Sequence, residues 1–126
     1  MKPNTEADPE KQLNKALNVL SYRPRSVAEM RRRGLAAVIP KLIELDLLDD
    51  QKFARWWVDQ RLRFRPKGNR ALTAELLAKG IDREIISQVL LSPEQERQLA
   101  IKLRGKYSLS QLRSRGFPID GLWRKE

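Results

Sequence analysis

The stretch Leu45-Asp46-Leu47-Leu48-Asp49-Asp50-Gln51-Lys52-Phe53-Ala54-Arg55-Trp56-Trp57-Val58 ends one helix and begins the next. Leu45, Leu47 and Leu48 are apolar enough to close the first helix onto a core. Asp49 has the short acceptor side chain that satisfies free amides at a helix start. Asp50 adds negative charge beside the positive end of the new helix dipole. Phe53, Trp57 and the carbon stem of Arg61 follow at i, i+4 and i+8, giving a stripe that Ala54 and Val58 widen. The acidic pair reads as a cap, because catalytic carboxylates would want a His, a Lys or a third acid beside them.

Outward from this corner the same order of signals recurs. On the N-terminal side, Leu13, Ala16, Leu17 and Leu20 predict a helix over 10–22, and Ser26-x-x-Glu29 is a capping box for a second helix that Gly34 stops. A third helix is expected over 35–45, beginning or kinking at Pro40. On the C-terminal side, the helix capped by Asp49 runs to Phe64, and Arg65-Pro66-Lys67-Gly68 connects it to a helix over 69–79. Leu72 and Leu76 point inward there, and Gly80 is a left-handed cap. Asp82 opens a helix carrying Ile85, Ile86, Val89 and Leu90. Tyr22-Arg23-Pro24-Arg25-Ser26 lies over Phe64-Arg65-Pro66-Lys67-Gly68, so both units share an aromatic, a basic-Pro-basic connector and a following helix.

A third unit starts at Ser92-Pro93-Glu94-Gln95, with a helix containing Leu99, Ala100 and Leu103, and continues with the capping box Ser108-x-x-Gln111. Arg115-Gly116-Phe117 mirrors Lys79-Gly80-Ile81. Residues 118–126 leave room only for a stub, docked through Leu122 and Trp123. From connector proline to helix-ending glycine, Pro24 to Gly34 is about one helical turn shorter than Pro66 to Gly80. The expected fold is all-α: tandem three-helix repeats packed as an elongated curved array, with the first and third repeats truncated. Its expected divisions are a flexible tail at 1–9, repeats at 10–48 and 49–91, and an incomplete repeat at 92–126, all in one structural domain.

Leu47-Leu48-Asp49-Asp50-x-x-Phe53-Ala54, then Arg61 to Gly68, then Leu72-x-x-x-Leu76-x-x-Lys79-Gly80-Ile81-Asp82, in this order and spacing, resemble the RecX family of recombinase regulators. The resemblance covers Leu17 to Leu91 well and the remaining tail weakly, and suggests a shortened or divergent member. It implies a bacterial cytoplasmic protein that binds the filament of RecA on single-stranded DNA. There it would inhibit ATP hydrolysis, strand exchange and the co-protease role.

Composition narrows the field independently. The 126 residues include no Cys and no His, which removes disulfides, the usual zinc ligand sets and histidine acid–base chemistry. No Gly-rich phosphate loop or nucleophile–base pair is present. No catalytic residue, metal or cofactor is therefore expected. No apolar run approaches the ~20 residues of a membrane span, and the N-terminus lacks the apolar region of a secretory signal, so a cytoplasmic protein without membrane partners is expected. A monomer is expected as well.

The net charge of +10 is banded: 22–34, 51–70 and 97–126 are positive, while 35–50 and 71–96 are negative. Bands recurring once per repeat predict a basic stripe for nucleic acid or an acidic protein surface. Its densest cluster is Arg61, Arg63, Arg65, Lys67 and Arg70. Arg31, Arg32 and Arg33, preceded by Arg23 and Arg25, form a second cluster, and Lys102, Arg104, Lys106, Arg113 and Arg115 extend the stripe. Arginine forks suit phosphate and carboxylate alike, so the stripe admits RecA and single- or double-stranded DNA. Phe64 could stack on a base, but an aromatic at a helix end facing the neighbouring unit is expected in the core, and the same holds for Trp56. Asp49, Asp50, Phe53 and Trp57 are assigned to the structural corner. The alternative function is a small basic DNA-binding protein of helix-turn-helix type, although neither second helix groups the Asn, Gln and Arg that read bases. A purely structural helical adaptor would leave the banded charge idle.

Overall fold

The computed structural model describes residues 8–122. Among these residues every regular element is helical: α1 (Pro9–Leu20), α2 (Val27–Arg32), a 3-10 turn (Ala36–Val38), α3 (Ile39–Glu44), α4 (Asp50–Phe64), α5 (Asn69–Ala78), α6 (Arg83–Val89), α7 (Pro93–Leu103) and α8 (Leu109–Ser114). The expected tail lies mostly outside the described residues, and α1 already starts at Pro9, where Asp8 accepts the N–H of Glu10 at 3.0 Å. Pro40 sits in the first turn of α3, the one helical place that tolerates its missing N–H. The helix therefore begins beside Pro40, at Ile39, rather than kinking there.

Three separate apolar clusters form the interior. The first joins Ala16, Val19, Met30, Leu35, Val38, Ile39, Leu42 and Leu48. The second joins Phe53, Ala54, Val58, Leu72, Leu76, Ile81 and Ile86, and the third Ala100, Leu112, Phe117 and Leu122. Each cluster is small, so the units depend on their neighbours, as in helical repeat arrays. No helix among the described residues is long and apolar enough to cross a membrane.

The second helix of every unit ends in the same way. Leu35 N–H bonds Met30 O, Ile81 N–H bonds Leu76 O, and Phe117 N–H bonds Leu112 O, each spanning a glycine at positive φ. This is the Schellman closure, and in each case its two end residues are buried core members. The one-turn deficit read from the proline–glycine spacing is real: α2 has 6 residues, where α5 has 10. In the third unit α8 also has 6. After α8, among the described residues, there is a turn closed by Leu122 N–H on Ile119 O at 3.1 Å. Leu122 docks as expected, and Trp123 lies outside the described residues.

The corner at 45–50 corrects one expectation. Leu48 is buried, but Leu45 and Leu47 are exposed. Asp46 adopts φ 59° and turns the chain, and Leu47 N–H closes on Leu42 O at 2.9 Å. The left-handed turn swings both leucines outward, so that only Leu48 reaches the core.

Candidate interaction surface

Asp49 caps α4 as expected, accepting the N–H groups of Gln51 and Lys52. Asp50 works across units instead. Its Oδ1 accepts the Val27 N–H at 2.8 Å, which supplies the start of α2 with a carboxylate from the next unit. Burial raises the Asp50 pKa, against the lowering effect of that bond. The second junction repeats the device: Glu96 on α7 accepts the N–H of Asn69, the first residue of α5, at 2.5 Å.

The ends of the second helices complete both junctions. Ser26 Oγ donates to Lys79 O at 2.7 Å, and Arg32 donates to Ala78 O at 3.0 Å. One unit further on, Gly68 N–H donates to Arg115 O at 2.8 Å, and Arg70 donates to Arg113 O at 2.6 Å. A Cβ on Gly80 would overlap that of Ala28, and a Cβ on Gly116 would overlap Ala71. Glycine is required at these two places both for a φ of 77° or 89° and for close approach of the next unit.

The basic residues divide by environment. At the first junction Glu29 is a hub. Its carboxylate pairs with Arg23 at 2.5 Å, stands 3.7 Å from Lys79 Nζ and 3.9 Å from Arg25, and accepts the Ser26 N–H. Burial pushes the Glu29 carboxyl up, but Arg23 and the Ser26 N–H hold it below the usual value. Arg25 is largely buried, and desolvation followed by repulsion from Arg23 and Arg33 lowers its pKa. Lys79 and Arg61 lie 5.2 and 5.0 Å from the centroid of the Trp57 ring. Trp57 donates to Glu75, which Arg61 also grips at 2.7 Å. Arg23, Arg25 and Arg61 are thus engaged inside the protein.

Arg31, Arg32 and Arg33 are exposed, and Arg31 stands close enough to Asp50 to stabilise its charge. Arg63 is exposed and pairs with Asp59 at 3.1 Å. Arg65 is exposed, Lys67 is half-buried, and neither has an ion pair among the described residues. The fold brings this connector to the third unit. Arg115 donates to Pro66 O at 3.3 Å and stacks 4.2 Å from the centroid of the Tyr107 ring. Arg70 and Arg113 line one open pocket of about 450 Å³ with Glu96 and Asp120. Arg70, Arg113 and Arg115, drawn from two units, therefore meet at the second junction, and the connector that reaches it carries Arg65 and Lys67. Lys102, Arg104 and Lys106 are exposed on and just after α7.

Phe53 is buried at the centre of the aromatic group, 6.1 Å from Trp56 and 5.8 Å from Trp57 between ring centroids. Phe64 corrects the sequence reading: it is 73% exposed and lies outside the core. At 15 residues α4 is much longer than α5 and α6, and its last turn overhangs their cover. Tyr22, at the matching repeat position, is 76% exposed. The signal that could have found both is their place beside a connector proline, where a helix must end.

Three-helix units stapled end to end, with cations gathered where units meet, define a helical repeat protein of the binding class. The family model described as "RecX, second three-helix domain" matches residues 49–90. Regulatory protein RecX of Mycolicibacterium smegmatis is 42% identical over 101 residues, covering 71% of this chain and 54% of the relative. That of Listeria welshimeri is 37% identical over 98 residues, covering 71% and 36%. The crystal structure of RecX from Lactobacillus salivarius superimposes with a TM-score of 0.72 at 30% identity, over 91% of this chain and 92% of that one. A second RecX crystal structure has the same TM-score at 22% identity and supports the fold alone. The chain belongs to the RecX family of regulatory proteins. It spans about half the length of the mycobacterial relatives and about a third of the listerial one.

Proposed function

We propose that this protein is a RecA modulator: it binds the RecA filament on single-stranded DNA and restrains ATP hydrolysis, strand exchange and co-protease activity. The observation that carries this reading is that the chain covers nearly all of a RecX structure at 30% identity. The junction cluster of Arg65, Lys67, Arg70, Arg113 and Arg115 supplies the contact, meeting acidic protomer surfaces or filament phosphates. The protein acts by occupancy, as a monomer in the cytoplasm, without metal, cofactor or catalytic residue.

The test is the steady-state ATPase rate of RecA on single-stranded DNA, with this protein titrated from far below to above equimolar at two salt concentrations. Inhibition at substoichiometric ratios, weaker at the higher salt, is expected. No effect at molar excess, with the protein folded by circular dichroism, would overturn the reading.

A further inference from the structure

Phe64 ends α4 with most of its ring in solvent, although an exposed aromatic does nothing for the core. Beside it is a groove of about 280 Å³ lined by Trp56, Trp57, Gln60, Arg61, Phe64 and Arg65. Its walls combine three aromatic rings, two guanidinium groups and one amide, and no carboxylate lines it. Glu75 is taken up by Arg61 and Trp57. Arg65, next to Phe64, has no ion pair among the described residues, and Lys67 follows one residue past the connector proline.

An acidic peptide would satisfy these cations but leave the rings idle, and an apolar helix would bury Arg65 without a partner. A ligand with flat π-faces strung on an anionic backbone satisfies both. We propose that Phe64 and this groove form a stacking site for a base of single-stranded nucleic acid, with Arg65 and Lys67 on the flanking phosphates. Gln60 offers a donor and an acceptor to the base edge, and the site takes any base because stacking needs only a π-face. Tyr22 stands at the corresponding place in the first unit, but Glu29 occupies its neighbour Arg23, which makes it the weaker platform.

This inference goes beyond filament regulation and does not depend on it, because it is tested without RecA. The probes are a dye-labelled oligothymidine and an abasic oligonucleotide of equal length, followed by fluorescence anisotropy across a salt series. The unsubstituted chain should bind oligothymidine roughly tenfold more tightly than the abasic strand. Phe64→Ala should erase that preference, with helicity and urea midpoint unchanged, and Phe64→Trp should restore it. The salt dependence should survive Phe64→Ala, whereas Arg65→Gln should reduce its slope by about 0.7.

Equal affinity for the two strands, or a preference that survives Phe64→Ala, would overturn the stacking site and leave only a diffuse cationic surface. Absence of oligonucleotide binding would overturn it too. If RecA inhibition were then lost in Phe64→Ala, the ring would be a protein contact.

Discussion

Asp50 on α4 accepts the backbone N–H of Val27 on α2 at 2.8 Å, across a unit boundary. The carboxylate does for a neighbouring helix what an N-cap does for its own, and Glu96 repeats it for Asn69. The junctions are therefore built from backbone groups that would otherwise be orphaned at helix ends.

The pH response of the first junction follows from two carboxylates shifted in opposite directions. Burial raises the folded pKa of Asp50 above 3.8, so the folded state holds that proton more tightly than the unfolded chain. Its contribution is full below the unfolded value and is lost as pH rises through the folded one. Asp50→Asn, which keeps the acceptor and removes the charge, should therefore gain stability relative to the parent as pH rises from 3 to 7. Urea midpoints across that range give the slope, and a variant that loses ground with rising pH would contradict it.

Glu29 should behave oppositely. Its folded pKa lies below 4.5, held there by Arg23 and the Ser26 N–H against burial, so its stabilisation is present above the unfolded value. It fades as pH falls through the folded value. Glu29→Gln should lower the urea midpoint at pH 7 and come to match the parent under acid.

Reversing Arg61 and reversing Arg65 should differ in kind. Arg61→Glu faces Glu75 and uncovers Trp57, and should lower stability by about 2 kcal/mol. Arg65→Glu combined with Arg113→Glu changes exposed cations, and should leave the urea midpoint within about 0.5 kcal/mol while weakening RecA inhibition at least tenfold. Unchanged inhibition by the double variant would mean that the junction cluster is only a solvated face.

Gly80→Ala puts a methyl group against Ala28 and asks an L-residue to hold φ 77°. A loss of about 2 kcal/mol or more is expected from urea unfolding. Asp49→Ala removes a cap that serves only its own helix, and should cost about 1 kcal/mol without affecting RecA inhibition.

The helices, their order and most of their ends are legible in the amino-acid sequence. The information is local: Ser26 with Glu29, Ser92 with Gln95, Ser108 with Gln111, and a glycine closing each second helix four residues after its last core side chain. The missing turn in α2 was legible for the same reason, as a spacing along one chain. Which charges are spent inside the protein and which face solvent depends on packing between distant parts of the chain. Arg61 and Arg65 look alike in sequence, yet one meets Glu75 fourteen residues later and the other meets solvent. Phe64 looks like the end of a buried stripe, but how far a helix overhangs its neighbours depends on their lengths and docking. Asp50 reads as a cap for its own helix, and serves another because the next unit packs against that helix's start. Periodicity reports which face of a helix is apolar; only the packing of one unit on the next fixes what covers each end.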